Sequence, residues 1–134
     1  MAEDSRNKII FADDDFFMRR VVEEILVGEF PQFQFEFFED GTSLERKLND
    51  GISNVRLIVT DNSMPGIHGS ELIRLYSSKL KERKIPMILH YGGHEGIGQE
   101  AVRNGAFAYL LKPMGIRLLP EIIVAALSHP DYQT

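Results

Sequence analysis

The chain has 134 residues, 43% of them hydrophobic and 26% charged, with a formal net charge of −5 and no cysteine. That length suits one domain with one substantial core, and the composition is that of an ordinary globular protein. Zero cysteines exclude disulfides and thiolate metal sites, and an acidic balance without a basic run argues against a nucleic-acid surface.

The opening, Met1 to Asn7, is polar and mixed in charge, so no secretory signal is visible. No later apolar stretch is long enough to span a bilayer, which predicts a cytoplasmic location and no membrane partner. Lys8 to Ala12 is a short apolar run without alternation, the pattern of a central parallel strand covered on both faces. Asp15 can cap a following helix whose apolar stripe is Val21, Val22, Ile25 and Leu26, ending near Gly28. Gln32 to Phe38 alternates polar and aromatic residues, placing Phe33, Phe35 and Phe37 on one face of a half-exposed edge strand. A helix follows around Ser43 to Leu48, with Gly51 beyond its end.

Val55 to Thr60 predicts the third strand, running straight into Asp61. Gly69 to Leu80 has helical spacing at Leu72, Ile73, Leu75, Tyr76 and Leu80. Ile85 to Leu89 is the expected fourth strand, with Pro86 near its start. A glycine-rich loop and a helix over Gln99 to Arg103 come next, then a strand from Phe107 to Leu111 and a helix from Leu118 to Leu127. No internal repeat or linker interrupts the series, which predicts one unit with its core over about residues 8–128. Strands and helices alternating at this spacing imply an α/β, doubly wound parallel sheet with right-handed crossovers.

In such sheets chemistry gathers at the carboxyl ends of the strands. That rule selects Asp13 and Asp14 after strand one, Asp61 after strand three, Tyr91 after strand four and Lys112 after strand five. Converging carboxylates repel, so at least one pKa should rise unless a cation enters. An oxygen-only set suits a hard cation such as Mg²⁺, an aspartate can act as a nucleophile toward phosphorus, and a lysine can neutralise phosphoryl oxygens. Helix capping would account for Asp14 and Asp15 alone, but not for Asp61 and Lys112 at the ends of other strands.

Three segments together resemble the response-regulator receiver domain. Ile9 to Arg20, with Asp13-Asp14, is similar to its opening; Leu57 to Gly69, with Asp61, Met64-Pro65 and Gly69, to its phosphoacceptor segment; Gly105 to Pro113, with Lys112-Pro113, to its closing signature. The resemblance implies a flavodoxin-like (βα)5 fold with helices on both faces of a five-stranded parallel sheet of order 2-1-3-4-5. It implies that Asp61 is the phosphoacceptor, and that Asp13, Asp14, Asp61 and the backbone carbonyl of Ser63 hold Mg²⁺, with Asp14 the more direct carboxylate ligand. Lys112 would pair with the phosphoryl group across a cis Lys112–Pro113 bond. The implied donor is a sensor histidine kinase or phosphotransfer protein, and the implied output is a downstream protein bound on the face of helix four, strand five and helix five.

The family ends strand four with a Thr or Ser whose hydroxyl moves to the phosphoryl group. Counting from Pro86 puts Tyr91 there and counting back from Lys112 puts His90 there; Tyr91 is preferred, because a shortened glycine loop absorbs a deletion more easily than a strand. Tyr109 supplies the aromatic side of the switch. Gly92 to Gly98 lacks the lysine and spacing of a phosphate cradle and reads as a loose helix start, and His90 with His94 lacks a helix to align a zinc site. Two alternatives stand beside the switch. One is a degenerate receiver that binds partners constitutively. The other is a haloacid-dehalogenase-type phosphatase using Asp13, although Phe17 stands where such enzymes carry Thr or Val. On the receiver reading no turnover of an external substrate is expected, beyond loss of the chain's own phosphoryl group.

Overall fold

The computed structural model describes residues 4–134; Met1, Ala2 and Glu3 of the polar opening lie outside the described residues. Five strands alternate with five helices: β1 (Lys8–Ala12), α1 (Phe16–Glu29), β2 (Gln34–Phe38), α2 (Gly41–Asp50), β3 (Val55–Thr60), α3 (Gly69–Glu82), β4 (Met87–Tyr91), α4 (Glu95–Arg103), β5 (Ala108–Leu111) and α5 (Leu119–Ser128). All pairings are parallel and the strand order is β2-β1-β3-β4-β5, the doubly wound arrangement implied above. One face of the sheet packs Ile9, Phe11, Leu57, Val59 and Ile88 against α1 and α5. The other packs Ile10, Ile58, Met87, Leu89 and Tyr91 against α2, α3 and α4. β3 lies at the centre with every residue buried, which is why its sequence shows no alternation. No described helix is long and apolar enough to cross a membrane.

The helix starts follow local chemistry. The Asp15 carboxylate accepts from the amides of Phe17 and Met18, and Asp40 accepts from that of Ser43, so both satisfy orphan donors of a first turn. Several boundaries differ from the sequence reading. β4 begins at Met87 rather than Ile85, because the Ile85 amide closes the end of α3 by donating to the Leu80 carbonyl at 2.8 Å. It extends to Tyr91, since His90 and Tyr91 pair with Leu110 and Leu111. α4 begins at Glu95 rather than Gln99, with the His94 ring nitrogen accepting from the Gly96 amide. The last helix is preceded by a 3₁₀ turn over Met114–Leu118, and Leu75 of α3 is half exposed, outside the apolar stripe assigned to it.

At the amino ends of the strands lies a partly buried charge cluster. Arg56 is 4% exposed; its Nε lies 3.1 Å from Asp4 Oδ2 and its Nη2 donates to the Leu127 carbonyl at 2.7 Å. Arg6 binds the same carboxylate at 2.8 Å and the carbonyls of Arg83 and Lys84 at 2.9 Å. One carboxylate thus serves two guanidiniums. The Arg6 hydrogen bond, set against burial and aided by both arginine charges, holds Asp4 below its usual 3.8. A carboxyl with a lowered folded pKa contributes stability at neutral pH that is lost as pH falls through that value. Asp4→Asn is expected to cost roughly 1–3 kcal/mol at pH 7, read as a lower urea midpoint, and to make little difference once wild-type Asp4 is itself protonated in acid.

Candidate functional site

The parallel ladder brings the chemistry together. The Asp61 amide donates to the Ala12 carbonyl at 2.8 Å, so the residue after β3 stands beside Asp13, the residue after β1. The Lys112 amide donates to the Tyr91 carbonyl at 2.7 Å, fixing the residue after β5 against the end of β4. Carboxylate oxygens of Asp13, Asp14 and Asp61 all lie within 4.8 Å of one another. Asp13 is fully buried, Asp61 is 6% exposed and Asp14 is open to solvent. Lys112 Nζ reaches 2.7 Å from Asp13 Oδ2 and 3.2 Å from Asp61 Oδ2. The Lys112–Pro113 bond is cis. Ser63 is exposed in the turn after β3, two residues past Asp61.

Neighbouring groups hold these side chains. Asp13 Oδ1 accepts from the Asp15 amide at 2.9 Å, and the Asp13 carbonyl accepts from Arg19 Nη1 at 2.7 Å. Arg19 also faces Glu39 at 3.6 Å, tying the acidic turn to the end of β2. Asp61 Oδ1 accepts from the Asn62 amide at 2.7 Å, and Asn62 Oδ1 in turn caps α3 by accepting from Ser70 at 2.9 Å. Gly69 is required beside them: a Cβ there would stand 2.1 Å from the Asp61 carbonyl oxygen. Nothing in the sequence marks Arg19 and Asn62 for these roles. Their helical periodicity and loop position carry no mark of the backbone atoms they hold.

Burial, and then the charge of Asp13, raise the Asp61 pKa above its usual 3.8, against the pull of Lys112 and the Asn62 amide. Burial works against the Lys112 ammonium, but its hydrogen bond to Asp13 and the two carboxylate charges outweigh it and hold its pKa above 10.5. Three carboxylates facing one ammonium leave the mouth net negative. The donors are all oxygen, and one of them is exposed, so a hard divalent cation that keeps several waters fits the set.

The end of β4 departs from the expected switch. Tyr91 closes the strand, fully buried on the α4 side, and its hydroxyl bonds with α4 rather than with Asp61. The inward movement of a short hydroxyl therefore does not transfer to Tyr91, because the phenol carries its oxygen several bonds out along the opposite face. His90 is also fully buried, with neither ring nitrogen hydrogen-bonded; burial and then the Lys112 charge lower its pKa to about 4. It is a neutral core imidazole. Tyr109 donates its hydroxyl to Glu95 Oε1 at 3.1 Å. His94 caps α4, and among the described residues the acidic trio is the one group of side chains with metal-ligand geometry.

Comparison with known proteins agrees with this geometry. The family model for the response regulator receiver domain matches residues 9–124. The chain is 30% identical over 118 residues to the chemotaxis protein CheY of Pseudomonas aeruginosa, covering 87% of this chain and 92% of that protein. It is 30% and 31% identical to two Arabidopsis thaliana two-component response regulators, but spans 62% and 55% of their length. A CheY-like receiver domain structure from Methanospirillum hungatei aligns with a TM-score of 0.74 at 26% identity, over 92% of this chain and 94% of that one.

Proposed function

The chain belongs to the response regulator receiver domain family of two-component signalling, and from that premise we propose that Asp61 accepts a phosphoryl group and thereby changes the affinity of the chain for a partner. The observation that carries this reading is the placement of Lys112 Nζ, 3.2 Å from a nearly buried Asp61 carboxylate that is shared with two further acids. An Asp61 oxygen attacks phosphorus, the bond from phosphorus to the donor's imidazole nitrogen breaks, and that nitrogen leaves with the electron pair. Asp61 must be ionised to attack. Its raised pKa therefore predicts that labelling declines, as pH is lowered, from a higher pH than for an ordinary aspartate. Lys112 moves its charge from the carboxylate toward the incoming phosphoryl oxygens. Mg²⁺, held by Asp13, Asp14, Asp61 and the Ser63 carbonyl, would supply the remaining neutralisation of those oxygens when bound.

The donor on this reading is a histidine kinase or phosphotransfer protein, the output surface is α4, β5 and α5, and the location is the cytoplasm. The unit is a single receiver without turnover of an external substrate. Incubation with Mg²⁺ and acetyl phosphate should give one phosphoryl adduct by intact mass. Absence of that adduct, together with no response to beryllofluoride, favours the degenerate module, which the commitment of the Tyr91 hydroxyl to α4 also supports. A dehalogenase-type role for Asp13 is disfavoured: its carboxylate is fully buried and pinned by the Asp15 amide and Lys112.

A further inference from the structure

The end of the sheet opposite Asp61 carries charge that the proposed function does not use. Arg56 enters it from the start of β3, with its side chain 5% exposed. Arg6 enters from residues 4–7, which precede β1 without strand or helix. Both guanidiniums are anchored without help from a carboxylate. Arg56 Nη2 donates to the Leu127 carbonyl, and Arg6 donates to the carbonyls of Arg83, Lys84 and Tyr132. Among the described residues, Asp4 is the one carboxylate paired with either arginine. Two fixed positive charges thus share one negative charge in a place largely shut from water.

Asp4 matches the first arginine and not the second. It takes Arg6 in the bidentate way, with Nε 3.0 Å from Oδ1 and Nη2 2.8 Å from Oδ2. Both oxygens are then engaged, and Arg56 is left with its Nε 3.1 Å from Oδ2. Arg56 Nη1 is buried and has no hydrogen-bond partner among the described residues. A buried donor left without an acceptor costs its full desolvation, more so when it belongs to a charged group. Burial, then the charge of Arg6, push the Arg56 pKa down, against the pull of Asp4, so the pair is short of negative charge. A planar carboxylate offers two oxygens. A tetrahedral oxyanion offers more, enough to fork with Arg6 and still meet Nε and Nη1 of Arg56.

We propose that Arg6 and Arg56 form a binding site for a tetrahedral oxyanion, a phosphate ion or a phosphomonoester, in which Asp4 is the displaceable internal occupant. Binding exchanges the Asp4 carboxylate for ligand oxygens and involves no covalent step. Asp4 lies in irregular backbone and its side chain is 24% exposed, so it has a short way to water. Arg6 stays behind on its three carbonyls, and Arg56 stays on β3. The ligand then neutralises both guanidiniums and supplies the acceptor that Nη1 lacks.

The test titrates the whole chain with inorganic phosphate, beside sulfate, acetate and chloride at matched ionic strength. Mg²⁺ is left out, so that the acidic mouth around Asp61 repels anions. Binding is followed by the Nε–Hε NMR signals of Arg6 and Arg56 and by the urea midpoint. Phosphate and sulfate should move both signals saturably, and acetate and chloride should not. Asp4→Asn removes the internal competitor, so phosphate should bind it about tenfold more tightly and restore the urea midpoint that the substitution lowers. Arg56→Lys keeps the charge and loses the fork, and the saturable response of Arg6 should disappear. Phosphoserine separates the two sources: binding equal to that of phosphate assigns the site to phosphomonoesters, and binding of phosphate alone assigns it to the free ion. An equal response to all four anions overturns the proposal. So does phosphate binding that is no tighter in Asp4→Asn, or undiminished in Arg56→Lys.

Discussion

Asp61→Asn should abolish the phosphoryl adduct while making the folded protein more stable. The first effect follows from removing the carboxylate that stands 3.2 Å from Lys112 Nζ, which the proposed function makes the nucleophile toward phosphorus. The second follows from the direction of the Asp61 shift. Burial and the Asp13 charge raise its folded pKa above 3.8, so the group favours the folded state below its unfolded value and loses that contribution as pH rises through the folded one. At pH 7 the carboxylate is held at a cost, which a neutral amide of the same shape avoids. A gain of about 1 kcal/mol is expected, read as a higher urea midpoint, and it should shrink toward zero as the wild-type carboxyl protonates in acid. A destabilised Asp61→Asn protein would mean that Lys112 depends on Asp61 more than on Asp13.

Lys112→Ala should act in the opposite direction on stability and more severely. Asp13 is fully buried, and Lys112 Nζ at 2.7 Å is its nearest cationic partner. Removing one partner from a buried pair leaves an uncompensated charge, at a cost of about 3–5 kcal/mol, discounted toward the lower figure because Lys112 itself is 20% exposed. Its raised pKa keeps the ammonium charged, so the contribution is present at neutral pH, where its carboxylate partners are ionised, and is lost as pH rises through the raised Lys112 value. Mg²⁺ should restore much of the lost stability, because a divalent ion in the acidic trio replaces the missing positive charge. Urea unfolding with and without Mg²⁺ measures this directly. On the proposed function, in which Lys112 is the charge partner of the phosphoryl oxygens, the rate of acetyl phosphate labelling should fall by about 10²–10³-fold even with Mg²⁺ present.

Much of the architecture could be read from periodicity. Val55–Thr60 was delimited to the residue because both sheet faces are covered there, so burial and hydrophobicity coincide. β4 lies two residues beyond the span its hydropathy suggests for the converse reason. Ile85 is apolar and buried but belongs to the close of α3, whereas His90 carries polar atoms and yet fills the core. α4 started earlier than its glycines suggested, because tertiary contacts from Tyr91 and Tyr109 supply what helix propensity does not.

The sequence by itself determined which residues could do chemistry. Acids and a lysine at strand ends converge in any parallel doubly wound sheet, since each strand delivers its next residue to the same edge. What only the tertiary structure decided is how the pocket is charged, held and connected. Asp13 is enclosed and paired with Lys112 while Asp14 stays in water, and Arg19 and Asn62 grip the backbone around them. The Tyr91 phenol turns away from Asp61 and into α4. Side-chain direction at a strand end depends on which neighbouring helix offers unsatisfied donors and acceptors once the strand and helix have packed, and residue type and periodicity do not encode that geometry.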